Sequence, residues 1–290
     1  MRHLLSGIAV LMVAFLPFSA PNLEMTIDKT YTIDSLGACQ GISCQKGRLF
    51  LYGDREVGMI REYRMQGDSL TYLNKEMRLT LNDTDVINHP TGFAIHDSYP
   101  VFIGNSIRLN KEGTSWRAVI YCVDWTGLQR TGRLDGNLLN TIEDDACIQG
   151  TRPEYVQYNK KWYVATADYG DKGNEVRLYD PALLRKAGKT SEKGVLYKKF
   201  TCTPWVQNLC WIAEKGLLLL VQNQAEGRRW RFTYVDLAAS IAAGKQEVMK
   251  VIDIDRADEL EGFTFLPGYK KGIAVSSSRR NNVNTMNISW

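Results

Sequence analysis

Histidine is scarce in this chain. His3, His89 and His96 are its three imidazoles, spread over 290 residues. Zinc sites built on histidine and cysteine need ligands at short, fixed spacings, and this scatter excludes one. The six cysteines, Cys39, Cys44, Cys122, Cys147, Cys202 and Cys210, include no C-x-x-C pair. Ligand spacing therefore calls for no metal. Runs of like charge are also missing. No five consecutive residues are basic, and 36 Lys+Arg against 32 Asp+Glu leave a net charge of +4. So small an excess gives no reason to invoke nucleic acid or an anionic membrane. There is no G-x-S-x-G nucleophile motif, no phosphate-binding glycine loop and no D-x-[DN]-x-[DN]-G calcium loop. The acidic, turn-rich "DYGDKGNE" (168–175) could hold a calcium ion through carboxylates and carbonyls, although a solvated loop is the simpler reading. No cofactor is identified.

Long apolar runs are confined to the N-terminus. Arg2 and His3 precede "LLSGIAVLMVAFLPF", then "SAPN". A short basic start, an apolar stretch too short to cross a bilayer comfortably and small residues beyond it form the layout of a secretory signal peptide over 1–20. Pro21 after Ala20, and Phe18 in the usual small-residue slot, leave an uncleaved anchor as the alternative. The expectation is an exported protein, periplasmic or extracellular, with no transmembrane segment downstream. Export permits disulfides, and Cys147 and Cys202, which precede successive strand-like runs, are candidates for a bridge. Cys44 and Cys210 fall inside apolar runs, as small buried hydrophobes do.

What is abundant is a concealed repeat. Five segments share one layout: "QGISCQKGRLFLYGD" from Gln40, "TGFAIHDSYPVFIGN" from Thr91, "PEYVQYNKKWYVATAD" from Pro153, "QNLCWIAEKGLLLLVQN" from Gln207 and "EGFTFLPGYKKGIAVSS" from Glu261. Each is an alternating apolar run, a turn rich in Gly, Asn, Asp or Pro, and a second apolar run ending in a polar residue, as a hairpin requires. Gly41, Gly92, Glu154, Asn208 and Gly262 align, 51, 62, 54 and 54 residues apart. A third alternating segment follows each hairpin ("IREYRM", "RAVIYCVDW", "EVRLYDP", "RWRFTYVDL", "NTMNISW"), and four repeats add a fourth. Only "PALLRKAGK" and "DLAASIAAGK" read as short helical insertions.

The last repeat stops after three strands, whereas "MTIDKTYTID" (25–34) is a strand without a repeat. Surplus and deficit match if the N-terminal strand completes the last sheet, a closure that protects edges. The expected fold is an all-β, five-bladed β-propeller over 25–290, with blades near 36–85, 86–145, 148–202, 203–255 and 256–290 plus 25–34. A pair of open β-sandwiches is the alternative.

In a propeller the first strand of each blade borders the central channel, where ligands commonly bind. This places Gln40, His89, Arg152, Gln207, Asn208 and Glu259 around the mouth as ligand-binding candidates, with Thr91 beside them. Asp54 and Asp168, at the ends of second strands, join them because an antiparallel hairpin returns to its starting end. Glu154 stands where three repeats carry glycine. A buried carboxylate needs a partner, and Arg152 is the expected one, either as a structural pair or to grip a polar ligand. Glu154 and Glu261 are the candidate acid–base pair, since two carboxyls can divide those roles when their environments differ. Trp205 is a candidate stacking wall; Trp162 and Trp211 read as packing between blades. His89 is a candidate proton carrier or a turn-capping residue.

In repeat layout the chain resembles the five-bladed propeller family of glutaminyl cyclases (glutamine cyclotransferases). "CQGISCQKGRLFLYGD" with "GMIREYRM", "RPEYVQYNKKWYVATAD" and "DELEGFTFLPGYKKGIAVSSS" carry the likeness, which spans 38–290. The family's Ala-Asn-x-Trp run is replaced here by "YVATAD". The resemblance implies the propeller fold and an acyltransferase activity. Propeller glycosidases usually present an aspartate in the first blade, where this chain has Gln40, so their mechanism does not carry over. The expected function is binding of a small polar molecule, a sugar or a peptide end, in a central pocket of a monomer, with or without acid–base catalysis. The rival is a non-catalytic scaffold whose outer features, such as "EGRRWR" (226–231), capture protein or surface glycan.

Overall fold

The computed structural model describes residues 22–34, 39–54, 56–224 and 229–290. The expected signal peptide and part of "EGRRWR" lie outside them. Five antiparallel four-stranded sheets form the blades of a five-bladed β-propeller. Blade one contains Cys39–Gln45, Arg48–Gly53, Met59–Gln66 and Ser69–Arg78. Blade two contains Pro90–Ala94, Val101–Arg108, Trp116–Val123 and Leu138–Glu143. Blade three contains Glu154–Tyr158, Lys161–Ala167, Glu175–Tyr179 and Leu196–Thr201. Blade four contains Val206–Ile212, Leu217–Asn223, Trp230–Asp236 and Val248–Ile254. In blade five, Leu260–Phe265, Lys271–Ser276 and Val283–Ser289 are joined by Glu24–Tyr31, which pairs antiparallel with the C-terminal strand from Glu24↔Ser289 to Tyr31↔Val283. The N-terminal strand thus closes the ring.

Both faces of every sheet are covered, so alternate residues of one strand feed two different interfaces. The run "LLLLV" at 217–221 shows this. Leu218 and Leu220 pack with Val156 and Tyr163 between blades three and four, while Leu219 and Val221 pack with Phe263 and Met286 between blades four and five. The remaining three interfaces have apolar clusters of their own. Five interfaces take the place of one central core, and the axis is left to other residues.

Three short helices, Trp125–Thr131, Pro181–Leu184 and Leu237–Ala243, follow the third strands of blades two, three and four. Each is opened by an aspartate (Asp124, Asp180, Asp236) whose side chain accepts first-turn N–H groups, the usual N-cap arrangement. The first of these helices corrects the sequence reading, which ran the third strand of blade two through Trp125. The strand stops at Val123, because the Asp124 carboxylate draws the Gly127 N–H into a helical turn at 3.1 Å.

The polar ends of the second strands fasten blades together. Asn223 accepts from the Leu260 N–H at 2.9 Å and donates to the Leu260 carbonyl at 3.1 Å, joining blade four to blade five. Asn223→Ala leaves both backbone groups buried and unsatisfied, and should cost about 2–4 kcal/mol in urea unfolding. A cost below about 1 kcal/mol would mean that water replaces the amide.

The bridge expected between Cys147 and Cys202 is absent. All six cysteines are free. The Arg177 guanidinium donates to the Cys147 sulfur at 3.3 Å and acts electrostatically on Cys202 as well, so a charged side chain occupies the space beside both thiols.

Candidate functional site

The register confirms that the five aligned positions are equivalent. Gly41 faces Tyr52, Gly92 faces Gly104, Glu154 faces Ala165, Asn208 faces Val221 and Gly262 faces Val275. Neighbouring inner strands meet here backbone to backbone. A Cβ on Gly262 would lie 2.7 Å from the Gly41 Cα, and one on Gly92 would lie 2.7 Å from the Arg152 Cα. Three blades therefore need glycine at this level, and the space that remains in the axis is filled by Glu154 and Asn208.

One residue earlier, the ladder slips in four blades: between Cys39 and Gly41, Pro90 and Gly92, Val206 and Asn208, Leu260 and Gly262. Such a bulge leaves a residue unpaired and re-aims its side chain. The four bulged residues, Gln40, Thr91, Gln207 and Glu261, are all polar and buried. In blade three the equivalent residue is Pro153, which has no N–H to offer the ladder, and the strand begins at Glu154 without a slip.

At the end of the ring where the inner strands begin, Gln207 joins a network with Arg152, Glu259 and Tyr169. Arg152 Nη2 donates to Gln207 Oε1 at 3.0 Å, and Gln207 Nε2 donates to Glu259 Oε1 at 3.2 Å. The Tyr169 hydroxyl donates to the same glutamate oxygen at 3.0 Å. The Arg152 guanidinium lies 5.3 Å from the centroid of the Tyr169 ring, which takes the edge of Trp205 at 5.2 Å. Arg152 is only 3% exposed. Burial pulls its pKa below the ordinary guanidinium value, against the opposing charges of Asp168, Tyr169 and Glu261. Asp168 is otherwise committed. It accepts N–H groups of Ile148 (2.7 Å), Gln149 (3.0 Å) and Gly170 (3.3 Å) and so holds a loop. Asp54 accepts from or donates to His89 Nδ1 at 2.7 Å, on the half-exposed rim.

The other half of the axis is different. The Tyr52 ring lies over Gly41, whose Cβ would come within 2.3 Å of it, and the Tyr52 hydroxyl reaches Asn208 Nδ2 on blade four at 3.5 Å. It spans the channel at the level of the glycines. Beyond it, towards the hairpin turns, opens a cavity of about 250 Å³. Trp162, Trp211, His96, Phe265 and Tyr269 stand around it, and Glu154 reaches it from the deep end. Glu154 is the one carboxyl among the described lining residues, and no lysine or arginine is among them. Its Oε1 accepts the Tyr155 N–H at 2.7 Å. Burial pushes its pKa up to about 8, against the smaller lowering effect of that hydrogen bond. At neutral pH it is a carboxylic acid, able to donate a hydrogen bond.

Two expectations are corrected here. Arg152 and Glu154 form no ion pair among the described residues; Arg152 turns to Gln207 and Tyr169, and its Nε and Nη1 have no partner. The strand starts at Glu154, so side-chain alternation does not extend back to Arg152. Nor do Glu154 and Glu261 share a pocket. Glu261 is a bulged residue acting on Arg152, Tyr169 and Cys39, while Glu154 acts on Tyr52, Cys210 and Tyr269. Gln40, Gln207 and Glu259 do gather with Arg152 at one end of the ring, but as its closure. Trp162 and Trp211, read as packing, do pack against the blade interfaces and also line the cavity, and His96 was not singled out. The signal for all three was available: they flank the hairpin turns, the end of the blades opposite the one chosen.

On the outer rim, Arg231 forms a two-pronged pair with Asp253 at 2.8 and 2.9 Å, and Arg229 approaches Asp255 at 3.3 Å. These are solvated edge contacts. In the acidic loop, Glu175 is engaged by Arg177 at 3.0 Å and Lys199 at 2.9 Å.

No family model matches the chain, and no curated protein matches it either. The chain is similar to Kuenenia stuttgartiensis hydrazine synthase, at 13% identity and a TM-score of 0.43, covering 87% of this chain and 59% of that one. It is also similar to the computationally designed Ika8 protein, at 11% identity and a TM-score of 0.35, covering 85% of this chain and 70% of that one. The chain spans less than two thirds of the hydrazine synthase chain. No helix among the described residues is long and apolar enough to cross a membrane.

Proposed function

We propose that this propeller is an exported protein that holds one small polar molecule in the cavity on the hairpin side of its axis. The observation that carries the reading is Glu154, the single carboxyl among the described residues of an aromatic-lined cavity. Binding sites of this kind combine apolar walls with a few fixed polar groups. A cavity of about 250 Å³ exceeds the ~150 Å³ that accommodates benzene, so a ligand the size of one sugar ring or one amino acid fits. Export rests on the N-terminal residues 1–20.

Binding is favoured over catalysis by what surrounds the carboxyl. An acyl transfer of the glutaminyl cyclase kind, or a hydrolysis shared between two carboxyls, calls for a second acid–base group beside the first. The described lining residues offer Glu154 and no second carboxyl.

Calorimetry of the full chain against monosaccharides, amino acids and short peptides tests this reading. Trp211→Ala and Glu154→Gln should each weaken binding at least about tenfold, or about 1.4 kcal/mol, while Arg231→Ala on the outer rim leaves it unchanged. If both cavity variants are silent and Arg231→Ala weakens capture of a protein or glycan, the scaffold reading replaces this one.

A further inference from the structure

Resting on the reading of the cavity as the binding site, we infer that its ligand is a small organic cation, a primary or methylated ammonium, seated between the aromatic walls and the carboxyl of Glu154. Half of the residues lining the cavity carry rings, Trp162, Trp211, Phe265 and Tyr269 among them. The faces of such rings attract an ammonium, most strongly where water is excluded. A sugar would instead use several free hydrogen-bonding groups on the walls; the Trp211 indole N–H is without a partner, while others are engaged. Ser43 Oγ already points to the Phe93 carbonyl at 3.5 Å, and Cys210 Sγ to the Phe263 carbonyl at 2.8 Å.

The charge balance points the same way. The groups coupled to Glu154 from the elements around it are Tyr52 of blade one, Cys210 of blade four and Tyr269 of the last inner hairpin. Cys44 of blade one and His96 of blade two face the same cavity. Tyrosine and cysteine can only add negative charge by ionising, and His96 is the one group able to become positive. The lining supplies no permanent cation to balance a Glu154 carboxylate, so a ligand that brings one satisfies the group that the fold leaves unbalanced. An ammonium displaces the carboxyl proton to solvent, and the proton released is the counterpart of the charge brought in.

This gives the binding a direction with pH. Only the ionised form of Glu154 pairs with the ammonium, so the affinity is reduced by the fraction still protonated. It should tighten by roughly tenfold per pH unit up to about 8 and then level off. A neutral ligand accepting a hydrogen bond from the carboxylic acid shows the reverse, losing affinity above that pH.

The experiment is calorimetry of the full chain with choline and with dimethylbutanol, its uncharged carbon isostere. Titrations run from about pH 6 to about pH 9 in paired buffers of different ionisation enthalpy, which count protons. Choline is expected to bind at least about tenfold more tightly than the isostere, to release protons below pH 8 and to follow the predicted slope. In Glu154→Gln the pH dependence should be lost and the advantage over the isostere reduced to what the aromatic walls supply. His96→Asn should keep the rise between pH 7 and 8, which assigns it to the carboxyl. Equal binding of the isostere, or choline affinity that falls as pH rises, overturns the cation assignment. Monosaccharide binding without ammonium binding overturns it while leaving the cavity reading intact. If neither class binds at millimolar concentration, both fail.

Discussion

Glu154→Gln is expected to make the protein more stable, with the gain growing from about pH 4.5 to about pH 8 and reaching the order of 3–5 kcal/mol. Removing a charged residue from a site usually costs stability; here the native carboxyl pays no such dividend. In the unfolded chain Glu154 loses its proton near pH 4.5, whereas in the folded chain burial delays that loss to about pH 8. Between these values the folded state binds more protons than the unfolded state, so stability must fall as pH rises through this window and stay at the lower level beyond it. Below pH 4.5 both states hold the proton, and the penalty vanishes. Glutamine cannot ionise, while its amide oxygen can still accept the Tyr155 N–H that Glu154 takes at 2.7 Å. Urea unfolding of both proteins at a series of pH values measures the difference directly. Curves that remain parallel across the window would show that the carboxylate is solvated or balanced in the fold, and the argument for a ligand cation would lose its footing. Water entering the cavity reduces the magnitude but leaves the sign.

The second large effect concerns the wall rather than the cavity. Gly92→Val should cost at least about 3 kcal/mol or prevent accumulation of folded protein. A Cβ at this position would meet the Pro153 ring at 2.6 Å and the Arg152 Cα at 2.7 Å. The Arg152 Cα, like the Pro153 nitrogen also at 2.7 Å, belongs to a backbone that cannot swing aside like a flexible side chain. Relief would require the inner strands of blades two and three to separate, and in a closed ring that displacement is passed to the other interfaces. Gly170→Ala is the control: its nearest contact would be an ordinary 3.7 Å to Asp168, and a change within about 1 kcal/mol is expected. Thermal and urea unfolding of both variants distinguish a packing constraint from a general intolerance of glycine replacement. If Gly92→Val melts with the parent protein, the blades are not in the backbone contact described.

Much of the architecture was legible before any coordinates. Period-two alternation and turn chemistry are local, so "LFLYG", "WYVATA" and "LLLLVQN" read as strands and their connections as hairpins. The equivalence of Gly41, Gly92, Glu154, Asn208 and Gly262 followed from counting, and the ladder partners bear it out. The helix Trp125–Thr131 was missed, although its aspartate cap and closing glycine match those of the insertion at 237–244 that was found. The candidate site was harder. Arg152, Gln207 and Glu259, read as ligand-binding candidates, bond to one another at one end of the ring, and the cavity lies at the other end.

The order of residues along the chain determined the number of blades, the closing strand and the level at which backbones crowd the axis, because each depends on spacing and on steric limits that act over a few residues. Which way the polar side chains turn was decided only in three dimensions. A slip of one residue re-aims Gln207 and Glu261, blade three begins at Glu154 without such a slip, and the Tyr52 ring reaches from blade one to Asn208 on blade four. Those outcomes depend on contacts between residues 50 to 160 positions apart, as in the Arg152–Gln207 and Asn208–Tyr52 pairs with separations of 55 and 156. A carboxyl between aromatic walls is a property of the closed ring, since the rings around Glu154 come from blades two, three, four and five.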